Sequence, residues 1–228
     1  RCWAGAPAHS GCLPVAGNQA AIQALPRLRA PGRIGVPSPA YAEHAHWWRA
    51  AGHDVIPFSG LPSRAAIESL DALVWINPNN PTGEWVSREH LLACHEQLAG
   101  QGGWLVVDEA FIDAEPEQSL VPETGRSGLI VYRSMGKFFG LAGLRGGLVF
   151  GPSELCDQLD AALGPWSVSH PARYLMQQAL ADASWQQAAA HRLSSDSQWL
   201  AAMLREAGLA PQNTTPLLPT ALVITPRV

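Results

Sequence analysis

Charge is scarce in this chain. Asp, Glu, Lys and Arg make up 15% of 228 residues, and the formal net charge is -4. No basic run carries interleaved aromatics, so the electrostatic footprint of a nucleic-acid binder is missing. Cysteine is also sparse. Cys2, Cys12, Cys94 and Cys156 lie far apart and form no C-x-x-C pair, which argues against a zinc ribbon or a disulfide framework and fits a reducing, cytoplasmic compartment. No apolar run reaches the ~18 residues of a membrane span. The N-terminus lacks the continuous apolar segment of a signal peptide, and no internal repeat is visible. The first residue is Arg rather than Met, which leads to the expectation that the chain is a fragment. What remains is a globular composition, 47% hydrophobic, long enough for one large core or two small domains.

Short apolar runs bounded by glycine, proline or polar residues read as strands at 33–36, 53–58, 73–76, 104–107, 129–132 and 147–150. Four of them are continuous and apolar, as parallel strands buried on both faces are. Between them lie helix patterns. Asn18 stands as N-cap of a helix stopped by Pro26, Gly52 closes a helix over 40–51, and Ser87 caps one over 88–99. A helix runs from Pro152 and Ser153 to about Leu163. After a break at Gly164-Pro165-Trp166-Ser167, two more run from Pro171 to about Ala183 and from Trp185 to Ala207. Alternating strands and helices predict an α/β three-layer sandwich with a mainly parallel sheet. We expect a large domain over 1–164, then a helical linker and the start of a smaller C-terminal domain over 165–228.

Ligands of such sheets gather beyond the strand ends, and the residues there carry chemistry. Gly17 permits a tight turn, and amides at the following helix start suit a phosphate. Tyr41 opens a helix after the 33–36 strand. His44 and His46 beside it point different ways on a helix, so no metal site is expected. Asn77-Pro78-Asn79-Asn80-Pro81-Thr82-Gly83 is a loop stiffened by two prolines. Asp108-Glu109 follows a buried strand, and an acid there needs a partner. Ser134 and Lys137 follow another strand, with Arg145 eight residues on. Alone, Lys137 is a phosphate ligand, a surface charge or an imine-forming nucleophile. A nucleotide P-loop is excluded by the absent glycine spacing, as is the dinucleotide fingerprint. Taken together, a lysine among apolar residues can attack an aldehyde. A carboxylate can hold a ring nitrogen protonated, and Arg145, Ser134 and the turn at Gly17 can hold a phosphate. Aldehyde, ring nitrogen and phosphate in one ligand describe pyridoxal 5'-phosphate.

These stretches resemble the fold-type I pyridoxal-phosphate enzymes of the class I/II aminotransferase family. The likeness rests on 77–83, on Asp108-Glu109-Ala110-Phe111, and on Ser134-x-x-Lys137 with Arg145, and it covers roughly residues 12–210. Within the family, 13–26, 137–145 and 164–169 are most similar to the threonine-phosphate decarboxylases of cobalamin biosynthesis, with histidinol-phosphate aminotransferases as near relatives. The resemblance implies that Lys137 carries the cofactor aldehyde as an imine and that Asp108 pairs with the pyridine nitrogen. It further implies that Asn80 bonds the ring O3', that Tyr41 stacks on the ring, and that Asn18, Gln19, Ser134 and Arg145 hold the phosphate. It also implies a homodimer acting on a small phosphorylated amino acid, by decarboxylation or, in the alternative, transamination.

The chain departs from the family in four places. Phe111 stands where many relatives have a tyrosine that donates to O3', and Gly146-Gly147 replaces the commoner Leu-Gly. The small C-terminal domain with its substrate-carboxylate arginine and the N-terminal arm are expected to be largely absent, and Arg227 is no stand-in. A chain that binds the cofactor without catalysis is the third reading.

Overall fold

The computed structural model describes residues 4–209, together with 213, 215 and 216; the 217–228 stretch and Arg227 lie outside the described residues. Seven strands form one sheet among the described residues. They are β1 (Ser10–Val15), β2 (Arg33–Pro37), β3 (Asp54–Phe58), β4 (Ala72–Ile76), β5 (Trp104–Asp108), β6 (Leu129–Ser134) and β7 (Gly147–Pro152), in the order β1-β7-β6-β5-β4-β2-β3. The strands from β3 across to β6 are mutually parallel, whereas β7 runs antiparallel to both β6 and β1. The expected α/β sandwich with a mainly parallel sheet is the architecture found. The sequence reading missed β1, because Gly11 and Pro14 interrupt its apolar run. Pro14 is tolerated because β1 is an edge strand.

Side-chain alternation along the central strands divides the core in two. Leu73, Trp75, Leu105, Val107, Leu129, Val131, Leu148 and Phe150 point into one apolar layer. Ala72, Val74, Val106, Ile130, Tyr132 and Val149 point into the other. Both faces are buried, so these strands read as unbroken apolar runs rather than alternating ones. The second layer is closed by α1 (Asn18–Ala24), α2 (Ala42–Ala50) and α5 (Ser153–Leu163), which contribute Ala21, Ile22, Trp48, Leu155 and Leu159. The first is closed by α3 (Arg64–Ile67), α4 (Arg88–Ala99), α6 (His170–Ala181) and α7 (Ala183–Glu206), through residues such as Ile67, Leu91, Leu98, Met176 and Ala189. Ser87 caps α4 as expected, accepting from the His90 amide at 3.4 Å. No helix among the described residues is long and apolar enough to cross a membrane.

A buried ionic cluster ties the end of β5 to β6. Glu109 is fully buried, accepting the Ser119 hydroxyl at 2.5 Å and the Leu120 amide at 2.7 Å. Arg133 reaches Glu109 at 3.6 Å and Asp113 at 2.5 Å, and donates to the Ser119 hydroxyl at 3.1 Å. The cluster pins the 109–125 segment, a run of short 3-10 turns that no periodicity marks, beneath the strand ends that carry Asp108 and Ser134. Burial pushes the Glu109 carboxyl up to about 7, against the pull of Arg133 and the two hydrogen bonds. The folded chain therefore keeps this proton after the unfolded chain has released it. The associated stability is present at low pH and is lost as pH rises from about 4.5 through about 7. Urea unfolding of wild type and Glu109→Gln across that window should show the wild type losing stability relative to the variant. A constant difference between the two would contradict this.

Candidate active site

The site lies where β5 and β6 end, where β1 turns into α1, and where β7 begins. Because β7 alone is reversed, its start shares an edge with the other strands' ends. Gly147 pairs with Val15 on one side and Ser134 on the other, and Asp108 sits between Ile76 and Tyr132. That register brings together residues more than a hundred positions apart. Between them opens a cavity of about 200 Å³, lined by Gly17, Asn18, Gln19, Tyr41, Asn80, Asp108, Ser134, Lys137 and Arg145, among others. Every residue singled out from the sequence as a site residue therefore faces one cavity.

Asp108 is its buried anchor, only 4% exposed. Its Oδ1 accepts the Ala110 amide at 3.0 Å and the Asn18 side-chain amide at 3.3 Å, and its Oδ2 meets His44 Nε2 at 2.9 Å. His44 is a residue that the sequence reading passed over after weighing it only as half of an H-x-H pair. The signal was its spacing from Tyr41: three residues on, at the start of a helix, places both on one face. The His44 ring lies nearly parallel to Tyr132, 10° between planes with centroids 6.4 Å apart. Burial first, and then the Asp108 charge, keeps the Tyr132 hydroxyl protonated far above the usual tyrosine range.

Several local expectations are corrected. Asn18 is not the N-cap of α1. Gly17 is, with φ of 77°, and Asn18 makes no capping bond because its side chain turns to Asp108. Asn18 Oδ1 is buried with no protein partner, beside the cavity. The Gln19 side chain points to Glu43 and Tyr41 instead of standing free for a phosphate: its Nε2 donates to Glu43 at 2.5 Å and its Oε1 accepts the Tyr41 hydroxyl at 3.2 Å. Tyr41 is the N-cap of α2 rather than its second residue. Burial, followed by the negative charges of Glu43 and Asp108, raises its hydroxyl above the ordinary value, and Arg145 opposes this. Lys137 is not embedded in apolar surroundings. It is exposed at the cavity wall, with Nζ 5.2 Å above the Phe111 ring, a cation–π contact.

The remaining groups are set by backbone geometry. Ser134 Oγ accepts the Gly136 amide at 3.1 Å, which curls the chain back after β6. Arg145 adopts a left-handed conformation, φ 53°, and donates to the Ala142 carbonyl at 3.1 Å. A Cβ on Gly17 would come within 2.6 Å of Arg145 Nη2, so the guanidinium packs against a position only glycine leaves open. The 77–83 loop is held by its asparagines. Asn77 exchanges hydrogen bonds with the Val86 backbone at 2.9 and 3.0 Å, and Asn79 bonds Thr82 Oγ1 and the Pro39 carbonyl at 2.7 and 2.9 Å. This presents Asn80 to the cavity. No cluster of three or more metal-ligating side chains occurs among the described residues.

Two substitutions test this geometry without any ligand. His44→Phe leaves Asp108 Oδ2 buried and unpaired and should cost about 1–3 kcal/mol in urea unfolding. Gly17→Ala forces a positive φ on alanine and a collision with Arg145, and should cost about 1 kcal/mol or more by the same measurement.

Residues 9–219 match the family model for aminotransferase class I and II. The chain is 50% identical over 205 residues to a threonine-phosphate decarboxylase of Pseudomonas aeruginosa, covering 90% of this chain and 62% of that protein. It is 37% identical over 131 residues to a histidinol-phosphate aminotransferase of Haemophilus influenzae, covering 56% and 37%. Among solved structures it resembles the histidinol-phosphate aminotransferase of Clostridium acetobutylicum, with a TM-score of 0.80 at 23% identity, covering 89% of this chain and 64% of that one. The chain thus spans less than two thirds of the curated relatives it matches.

Proposed function

The chain belongs to the class I and II aminotransferase family, and from that premise we propose that it binds pyridoxal 5'-phosphate and decarboxylates L-threonine O-3-phosphate to 1-aminopropan-2-ol phosphate. The observation that carries the cofactor is the convergence of Lys137, Asp108, Asn80, Ser134 and Arg145 on one cavity. The residues fit the group chemically. A buried carboxylate with three hydrogen-bond partners stands at one wall, a hydroxyl and a guanidinium at another, and an exposed amine at a third. What favours the decarboxylase is the 50% identity over 205 residues, against 37% over 131 for a histidinol-phosphate aminotransferase.

When bound, the cofactor supplies an aldehyde that takes up amines and a ring that accepts an electron pair. The protein's part is to place it. Asp108 would hold a proton at the ring nitrogen, and His44 and Asn18 keep that carboxylate in one orientation while offsetting its burial. Asn80 would donate to the ring oxygen, the one direct donor proposed there because Phe111 has no hydroxyl. Tyr41 would cover the ring, and Ser134 and Arg145 would hold the phosphate with the backbone after Gly17 beside them. Lys137 would hold the aldehyde between turnovers and move a proton at the substrate Cα. Which bond at Cα is broken, to the carboxylate or to hydrogen, would depend on how the surrounding groups orient the substrate, so the same residues would serve decarboxylation or transamination.

We place the cofactor-binding large domain at 1–164, followed over 165–228 by a helical linker, packed on the sheet through residues such as Met176 and Ala189, and the start of a smaller C-terminal domain. We further propose a homodimer, with the cavity at the interface between subunits.

Incubation with pyridoxal 5'-phosphate should give an absorbance band near the visible edge that borohydride fixes onto Lys137, seen as modified Lys137 by peptide mass spectrometry. Lys137→Ala should give neither. Carbon dioxide release from threonine phosphate distinguishes the decarboxylase, and consumption of 2-oxoglutarate with histidinol phosphate distinguishes the aminotransferase. A colourless wild type indistinguishable from Lys137→Ala would defeat both.

A further inference from the structure

We propose that Glu43 is a positioning residue: acting through Gln19, it fixes the ring and hydroxyl of Tyr41 at the cavity wall. Four side chains from α1, the start of α2 and the α2 face form one chain of hydrogen bonds. Trp47 Nε1 donates to Glu43 Oε2 at 2.9 Å. Gln19 Nε2 donates to the same oxygen at 2.5 Å, and the Tyr41 hydroxyl donates to Gln19 Oε1 at 3.2 Å.

The direction of this chain is dictated by charge. A carboxylate only accepts, so the Gln19 amide must turn its NH2 toward Glu43. Its carbonyl then faces Tyr41, and a carbonyl also only accepts, so the phenol must donate. Glu43 therefore determines the hydroxyl orientation of a residue it does not touch by a direct hydrogen bond. The two donors hold the Glu43 carboxyl below its usual range, keeping it an anion and an acceptor. Gln19 and Tyr41 line the cavity. Gln19 thus acts in the site as a link to Tyr41, while its side chain is committed away from the phosphate role that the family resemblance implied.

The sign of the effect separates positioning from plain electrostatics. A carboxylate near a phosphate site repels the phosphate, so on charge alone its removal should tighten binding. If Glu43 positions Tyr41, its removal should loosen binding. Both donors converge on the single atom Oε2, so the one carbonyl oxygen of a glutamine can receive both. Glu43→Gln therefore keeps the chain while removing the charge.

The cofactor arm of the test rests on the proposed function; the titration arm does not. The chain has three tyrosines: Tyr132 is buried and held protonated, and Tyr174 is exposed. Phenolate absorbance of the cofactor-free chain, with Tyr41→Phe to assign the signal, reads Tyr41. Glu43→Ala and Glu43→Gln both remove the neighbouring negative charge, but only Glu43→Ala frees Gln19 from holding its carbonyl to the phenol, so Tyr41 should titrate at lower pH in Glu43→Ala than in Glu43→Gln. For the cofactor, Glu43→Ala and Gln19→Leu should each weaken pyridoxal 5'-phosphate binding about tenfold, measured by tryptophan fluorescence. The double variant should be no worse than either single one, and Glu43→Gln should bind within about threefold of wild type. Equal Tyr41 titration in Glu43→Ala and Glu43→Gln overturns the proposal, as do tighter binding or additive losses. If no variant and no wild-type chain binds the cofactor, the functional reading fails, and the Tyr41 titration alone decides the positioning role.

Discussion

A carboxylate buried at the end of a central strand is the constraint around which this site is arranged. Asp108 sits at a place where a lone negative charge would cost several kcal/mol. Three groups from three parts of the chain offset that cost: the Ala110 amide, the Asn18 amide and His44. Each commits its own element. Asn18 reaches Asp108 from the first residue of α1, directly after the Gly17 cap, and His44 reaches it from the first turn of α2. The same two first turns place Tyr41 and Gln19 at the cavity wall, so the partners that stabilise the acid also set the outline of the site.

The reversed strand is the second organising feature. With β7 antiparallel between β6 and β1, the loop carrying Lys137 and Arg145 returns to the edge where it began. Arg145 then meets the turn at Gly17, where the missing Cβ leaves room for the guanidinium. Beneath this edge, Glu109 and Arg133 occupy positions directly next to Asp108 and Ser134 and point to the opposite face. One pair of strand ends therefore presents its chemistry on one side and its bracing on the other, as the two-residue period of a strand requires.

Much of this was legible from residue order. Buried parallel strands are recognisable because both faces are apolar, and helix ends because Ser87 and Gly52 mark them. The site residues were legible because they follow strands directly. Less legible were features whose signal is tertiary. β1 is broken by Gly11 and Pro14, and an edge strand tolerates that. His44, set aside as a metal ligand because His46 points elsewhere, has its partner Asp108 only through the fold. Gln19 looked like a phosphate ligand because its engagement with Glu43, 24 residues away, leaves no local trace. The apolar surroundings expected for Lys137 did not materialise, since the neighbouring Phe138 and Phe139 are buried in the core while the lysine projects outward.

The sequence by itself determined the layered α/β architecture, the strand ends at which chemistry collects, and the lysine, acid, serine and arginine that stand there. Those follow from periodicity, capping and side-chain chemistry, which are local properties of the chain. Only the tertiary structure decided which side chains are paired: His44 and Asn18 with Asp108, Gln19 with Tyr41 and Glu43, Arg133 with Glu109. Such pairings depend on strand order and register, and above all on the one reversed strand, whose direction no short stretch of residues encodes.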